Sequence, residues 1–142
     1  MTHSTILAAL LALVIPASAY AHVSVQPRAS KPGAEETYTV RVPTEKAVTT
    51  TSVELDTPDG LTIMKVADVE GAKHEEKKIG DRITMITWTR EIEPRESNEL
   101  AFTARNPANG EKIVWKIRQR YADGTVSDWV PATTLAPPVA GK

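Results

Sequence analysis

Short runs of alternating apolar and polar residues, separated by Pro, Gly, Asn and Asp, limit what this chain can fold into more than any other feature. Such alternation is typical of strands with one buried side and one solvent-facing side. In the clearest run, one face carries Ile113, Trp115, Ile117, Gln119 and Tyr121. Other runs cover residues 38–42, 53–55, 83–92 and 98–104. Because residues 22–142 show no helical periodicity of useful length, the pattern predicts an all-β fold, an immunoglobulin-like antiparallel β-sandwich.

Turn signals refine this prediction. Asp123-Gly124 favours a type I′ hairpin, so residues 126–130 should return as an antiparallel strand that places Trp129 near a sheet edge. The charged segment 71–81 is expected to be a solvated loop or hairpin tip. Three further aromatic residues are assigned to core packing: Trp88, Trp115 and Tyr121.

Residues 1–21 have the character of a secretory signal peptide. An apolar run from Ile6 to Ile15 is followed by a proline and by small residues that suit a signal peptidase. The run is too short to cross a membrane, which needs about 20 apolar residues, so no stable membrane insertion is expected after cleavage. Cleavage after Ala21 exposes His22, whereas cleavage after Ala19 leaves His22 internal. The prediction is therefore a periplasmic or secreted protein.

The expected organisation is a signal peptide over residues 1–21, one domain over residues 22–133 and a flexible tail over residues 134–142. The tail is rich in proline and has little apolar surface to pack. The net charge of −1 argues against a nucleic-acid partner. Because the chain contains no cysteine, disulfides and thiolate metal sites are excluded, and any metal must use nitrogen and oxygen ligands.

Histidine-based catalysis has little basis in this sequence. After the signal peptide, the only histidines are His22 and His74. No phosphate loop, dinucleotide fingerprint, HExxH or EF-hand pattern is present, so no enzyme activity is predicted. His74-Glu75-Glu76 suggests at most a weak second metal site, and an exposed charged loop is the favoured interpretation.

A histidine at a new N-terminus has a chelating chemistry of its own. The free α-amine and the imidazole Nδ1 of His22 can bind one metal together and close a six-membered ring, an arrangement called a histidine brace. Among common divalent ions, Cu(II) binds most tightly to nitrogen and oxygen ligands and favours planar coordination. The sequence thus indicates a Cu(II) site if cleavage occurs after Ala21.

Four spaced segments carry a resemblance to a known family: AHVSVQP at 21–27, ETYTVRVPTEK at 36–46, ITW at 86–88 and QRYADGTVSDW at 119–129. They span nearly all of the chain after the signal peptide. The sequence resembles the YcnI-like family of domains of unknown function, which implies a β-sandwich that holds Cu(II) through a single histidine brace.

When the site residues of the family are transferred to the matching positions of this sequence, the resemblance implies a metal site of His22, Glu45 and Trp129. His22 would be the brace, Glu45 of VPTEK the carboxylate ligand, and Trp129 of DGTVSDW the site tryptophan. Relatives often carry Gly-Trp after the position of Leu61, where this chain reads Met64-Lys65-Val66-Ala67. That departure affects a segment which could influence access to the metal.

Three functions follow, of which the first is favoured. One is an exported Cu(II)-binding protein that chaperones, buffers or delivers copper, with the copper ion and other envelope copper-trafficking proteins as partners. Another is a copper redox enzyme, although such enzymes normally add a second histidine to the brace. The last is a metal-free β-sandwich interaction module, in which Glu45 is a solvated carboxylate and Trp129 an edge-packing residue.

Overall fold

The computed structural model describes residues 22–136, which form strands, turns and loops and no helix. The prediction of an all-β antiparallel sandwich is confirmed. The strands are β1 (Ser24–Gln26), β2 (Ala29–Ser30), β3 (Glu35–Pro43), β4 (Thr50–Asp56), β5 (Thr62–Val66), β6 (Lys73–Ile79), β7 (Arg82–Ile92), β8 (Ser97–Arg105), β9 (Lys112–Val114), β10 (Lys116–Tyr121), β11 (Val126–Trp129) and β12 (Ala132–Leu135).

Two main sheets form the sandwich. One has the strand order β1-β3-β8-β5, the other has the order β11-β10-β4-β7-β6, and β2, β12 and β9 form a small third sheet. The longest pairing joins β3 to β8, from Glu35 opposite Arg105 to Pro43 opposite Ser97. Strands β1 and β11 are therefore edge strands, one in each main sheet, and they bear directly on the candidate site.

An aromatic cluster occupies the space between the sheets. Trp115 is fully buried, with its ring centroid 4.7 Å from that of Tyr38 and 5.7 Å from that of Phe102. Trp88 is also fully buried and lies 6.4 Å from Phe102. These contacts, with Tyr121 only 4% exposed, confirm the core assignments made from the alternating pattern.

The clearest run in the sequence divides between two sheets. It is interrupted at Trp115, whose backbone N–H donates to the carbonyl of Pro131 over 2.8 Å. Before this point β9 pairs with β12, and after it β10 pairs with β4 and β11. The alternation of buried and exposed residues continues through the interruption, because every second residue from Ile113 to Tyr121 remains buried.

The hairpin between β10 and β11 is present, but its predicted turn type is wrong. A type I′ turn needs positive φ at both central residues, and in this turn only Gly124 has one, at 84°. The Gly124 N–H donates to the Tyr121 carbonyl and the Tyr121 N–H to the Thr125 carbonyl. This pattern indicates a three-residue loop in which Gly124 takes the left-handed position, which costs glycine little.

The charged segment 71–81 is largely a strand and only partly a loop. Residues Lys73–Ile79 form β6, which pairs with β7 along its full length at the edge of the five-stranded sheet. The charged side chains suit an edge strand because they oppose pairing with other chains. The loop part of the prediction is wrong because charge was taken as a sign of a loop, whereas Gly80 and Asp81 do form the tip of the β6–β7 hairpin.

The predicted tail begins too early. Thr134 and Leu135 lie in β12, and the Leu135 side chain is only 2% exposed. The predicted signal peptide over residues 1–21 and the last part of the predicted tail lie outside the described residues. Between residues 22 and 136 there is no helix long and apolar enough to cross a membrane.

Candidate metal centre

His22 lies at the start of the edge strand β1. Val23 and Val25 are buried and anchor this strand, which pairs with β3 so that Ser24 lies opposite Arg41. Continued by two residues, this antiparallel register places His22 opposite Pro43, the last residue of β3. His22 is exposed, and its ring forms no hydrogen bond or ion pair with any residue of the described range. Its nitrogens are thus free to bind a ligand.

Trp129 faces His22 from the other main sheet. It lies opposite Ile117 in the pairing of β11 with β10, and it is half-buried. The ring centroids of His22 and Trp129 are 5.3 Å apart with an interplanar angle of 65°, an edge-to-face contact. The Trp129 indole Nε1 donates to Gln119 Oε1 over 2.9 Å, so the polar edge of the ring points towards the interior.

Glu45 is exposed and follows the end of β3 by two residues. Its carboxylate makes no hydrogen bond or ion pair within residues 22–136, so neither kind of bond links it to His22 or Trp129. The next residue is Lys46, whose Nζ lies 4.3 Å from the centroid of the Tyr121 ring and donates to Thr125 Oγ1 over 3.3 Å. These contacts hold the Glu45 segment against the β10–β11 hairpin.

An open cavity of about 410 Å³ lies beside the His22–Trp129 pair. Its walls come from β1 and from the chain between Trp129 and Ala132, and Arg28 contributes a cationic group. A metal or a small ligand can therefore reach His22 from solvent. Sequence reasoning did not identify Arg28 as part of this surface.

The side chains alone do not form a complete metal site. Within the described range there is no group of three or more His, Cys, Asp and Glu residues placed to bind one ion. His22 offers one imidazole nitrogen and Glu45 a carboxylate, which are donor types that suit Cu(II), but the described structure does not link the two side chains. A further nitrogen donor, such as an α-amine at His22, would complete the set.

Gln119 is a second residue at this site, after Arg28, that sequence reasoning missed. It was recognised only as one member of the buried face of β10, yet its side chain is 0% exposed and bonds to Trp129. The available signal was a carboxamide within an otherwise apolar or aromatic face, because buried polar groups need hydrogen-bond partners.

His74 does not belong to this site. It lies on β6, whereas Trp129 lies on β11 at the opposite edge of the same sheet. Its Nε2 is 3.0 Å from Asp68 Oδ1 and its Nδ1 is 3.1 Å from Glu76 Oε1. The hydrogen bond with Asp68 and the charge of Glu76 raise the pKa of His74 above its ordinary value. Both ring nitrogens face carboxylates, which fits an imidazolium ion better than a metal ligand.

Together these features define a β-sandwich with an exposed histidine and a tryptophan in contact where edge strands of its two sheets meet. The fold is immunoglobulin-like: a Nocardia farcinica protein with an immunoglobulin-like fold superposes with a TM-score of 0.71 at 21% identity, over 81% of this chain and 98% of that one. A cohesin module from a Clostridium perfringens family 33 glycoside hydrolase gives a TM-score of 0.55 at 11% identity, over 81% of this chain and 96% of the module.

The chain belongs to the family described as Domain of unknown function (DUF1775), whose model matches residues 22–139. The resemblance to the YcnI-like family is thereby confirmed. A relative from Bacillus subtilis (strain 168), Copper-binding protein CutI, is 35% identical over 127 residues, which cover 87% of this chain and 61% of the relative. The chain thus spans about three fifths of the length of that relative.

Proposed function

We propose that this protein is exported, is cleaved after Ala21 and binds one Cu(II) ion in order to chaperone, buffer or deliver copper. The observation that carries the proposal is the contact between His22 and Trp129, 5.3 Å between ring centroids, at an open edge of the sandwich. Support comes from the B. subtilis relative, which is named a copper-binding protein. The partners would be the copper ion and other copper-trafficking proteins of the cell envelope.

The brace is the part of the proposal that residue chemistry supports most directly. His22 has no side-chain hydrogen bond in the described structure, so Nδ1 is available to a metal. Cleavage after Ala21 would create an α-amine on the same residue and supply the nitrogen donor that the side chains lack. Cu(II) binds such nitrogen ligands more tightly than the other common divalent ions do.

Glu45 and Trp129 would complete the site in different ways. The Glu45 carboxylate forms no other ion pair among residues 22–136, and it would add a negative oxygen donor that partly neutralises the ion. Trp129 would cover one face of the ion and restrict access of water and reductants, because its indole offers no ordinary lone pair for coordination. The ring face would also attract the cation.

The same geometry supports binding rather than catalysis. Among residues 22–136, no second imidazole of the kind used in histidine-brace redox enzymes lies near His22. In the described part of the chain the other histidine is His74, which is held by Asp68 and Glu76 at the far edge of the sheet. Redox turnover is therefore the less supported of the two copper functions.

Native mass spectrometry tests the proposal. The protein is exported by its own signal peptide and is measured before and after the addition of one equivalent of Cu(II). We expect a chain that begins at His22 and retains one copper ion. His22→Ala should abolish tight binding, and so should one extra alanine placed before His22, because it removes the chelating amine. His74→Ala is the matched control and should bind copper as the unchanged protein does.

Two results would contradict the proposal. In a chain that begins at Tyr20, the backbone nitrogen of His22 would be a peptide amide and not a free amine, so the brace could not form. Equal copper affinity in the alanine-extended protein would show that the amine is not a ligand. A chain that begins at Tyr20, or one that takes up no copper, leaves the metal-free interaction module as the better interpretation.

A further inference from the structure

We infer that Gln119 is the positioning residue of the candidate copper site, because it ties Trp129 to the backbone segment that presents Glu45. This inference rests on the proposed function and deepens it. Gln119 would not touch the metal itself, since its side chain is 0% exposed and lies between the two main sheets.

Three hydrogen bonds satisfy the Gln119 carboxamide. Its Oε1 accepts from Trp129 Nε1 over 2.9 Å. Its Nε2 donates to the carbonyl of Pro43 over 3.0 Å and to Thr50 Oγ1 over 2.7 Å. Trp129 and Gln119 belong to the five-stranded sheet and Pro43 to the four-stranded sheet, so one side chain joins both sheets at the candidate site.

Donor and acceptor rules determine the orientation of this carboxamide. An indole nitrogen can only donate and a backbone carbonyl can only accept, so Oε1 must face Trp129 and Nε2 must face Pro43. A flipped amide would place two donors together at one end and two acceptors together at the other. The orientation of the Trp129 ring is therefore coupled to the position of the Pro43 carbonyl.

The network continues towards Glu45 through two buried hydroxyl groups. Thr44 Oγ1 donates to the carbonyl of Ile92 over 2.9 Å and lies 2.7 Å from Thr50 Oγ1. Because the Thr44 proton is used at Ile92, the Thr50 hydroxyl must donate to Thr44 while it accepts from Gln119. Each donor has an acceptor, and the network ends at the residue immediately before Glu45.

All three proposed metal-site residues converge on this network. Trp129 bonds to Gln119 directly, Glu45 follows Thr44, and the register of β1 with β3 places His22 opposite Pro43. Groups that orient ligands from behind a metal site typically change metal affinity by about 10-fold to 100-fold when they are removed. A buried network in which every donor and acceptor is satisfied also favours one arrangement of its side chains over the alternative arrangements.

The test compares Gln119→Met, Thr50→Val and Thr50→Ser in protein that begins at His22. Methionine matches the size of glutamine without its hydrogen bonds, valine matches threonine without its hydroxyl, and serine restores that hydroxyl. We expect Gln119→Met to weaken Cu(II) binding by about tenfold and to change the electron paramagnetic resonance spectrum of the bound ion. Thr50→Val should act in the same direction, and Thr50→Ser should restore both properties.

Asn106→Leu is the matched control for general destabilisation. Asn106 is another buried carboxamide with three hydrogen bonds, to the Tyr38 hydroxyl, Ser30 Oγ and the Lys31 carbonyl, but it follows β8 at the far end of the sandwich. It should lower stability without changing the copper spectrum. An unchanged affinity and spectrum in Gln119→Met, or the same losses in Asn106→Leu, would overturn the inference.

Nuclear magnetic resonance of the copper-free protein separates this inference from the proposed function. Thr50→Val should shift both the Trp129 indole N–H and the Glu45 backbone N–H resonances, although the Thr50 hydroxyl bonds to Thr44 and Gln119 and to neither of these residues. If neither resonance shifts, the proposed coupling through Gln119 is wrong, whether or not the protein binds copper. If the coupling is present but the unchanged protein takes up no Cu(II), the proposed function fails and the copper-positioning role fails with it.

Discussion

Trp129 makes two different kinds of contact at the edge of β11. Its ring meets His22 edge to face at 5.3 Å, while its Nε1 donates inward to Gln119 over 2.9 Å. The apolar part of the side chain therefore borders the open cavity, and the polar part is satisfied in the interior. Such a divided environment suits tryptophan better than phenylalanine, which has no donor.

Trp129→Phe should separate these two contacts. Copper should still bind, because the indole is not a ligand in the proposed site, but the optical and electron paramagnetic resonance spectra should change. The free energy of unfolding should fall by about 1 kcal/mol, because Gln119 Oε1 loses its donor. Urea denaturation and spectra of the copper-loaded protein measure the two effects. Unaltered spectra would remove Trp129 from the site, and unaltered stability would show that the hydrogen bond contributes little.

At the scale of the element, β6 shows how an exposed edge strand is stabilised. It carries several lysines on its exposed side, and His74 faces Trp88 of β7 across the strand pair. The imidazole lies within 3.0 Å of Asp68 and within 3.1 Å of Glu76, so it connects the strand to the loop before it. These carboxylates favour the charged form of His74.

The contribution of His74 to stability should depend on pH. The pKa of His74 is raised in the folded state, mainly by the hydrogen bond with Asp68, so the folded state binds the proton more tightly than the unfolded state does. The stabilisation should be complete below the unfolded value of about 6.5 and should be lost as pH rises through the raised folded value. Because Asp68 is solvent-exposed, the effect should be small.

Chemical denaturation of the unchanged protein and of His74→Gln across this pH range measures the contribution. The stability difference between the two proteins should be largest in mild acid and should shrink above neutral pH. Asp68→Asn should reduce that pH dependence while the histidine is kept. A difference that does not vary with pH would contradict the assigned role of the His74 ion pairs.

At the scale of the whole molecule, the candidate site joins the two main sheets. His22 and Glu45 flank strands of the four-stranded sheet, and Trp129 belongs to the five-stranded sheet. A ligand held by all three should bind the folded chain and not the unfolded chain. Copper should therefore hold the N-terminal residue in place, and it should also stabilise the whole fold against unfolding.

Cu(II) should raise the melting temperature of protein that begins at His22. With free copper at 100 times the dissociation constant, the expected stabilisation is about 2.7 kcal/mol. It should decrease in acid, because copper must displace a proton from an amine whose pKa is about 7.7 to 8 without metal. Differential scanning calorimetry measures the shift, and His22→Ala is the control. An equal shift in that variant would indicate adventitious copper binding elsewhere.

The fold class and most of the core follow from the local pattern of residues along the chain. Alternation in a strand has a period of two residues, so the buried face of 113–121 and the edge position of Trp129 were predictable from local pattern. The three residues of the proposed site came from family resemblance as well as chemistry. Of these, the structure brings His22 and Trp129 into contact, while the Glu45 carboxylate forms no hydrogen bond or ion pair with either.

Other features depend on partners that are distant in sequence, so they become visible only in the folded chain. Segment 73–79 is a strand because it pairs with β7 along its length, which its charged composition does not reveal. Thr134 and Leu135 are ordered because β2 and β9 flank them. Gln119 bonds to residues 10, 69 and 76 positions away, so its role depends on how the two sheets pack and not on any local pattern.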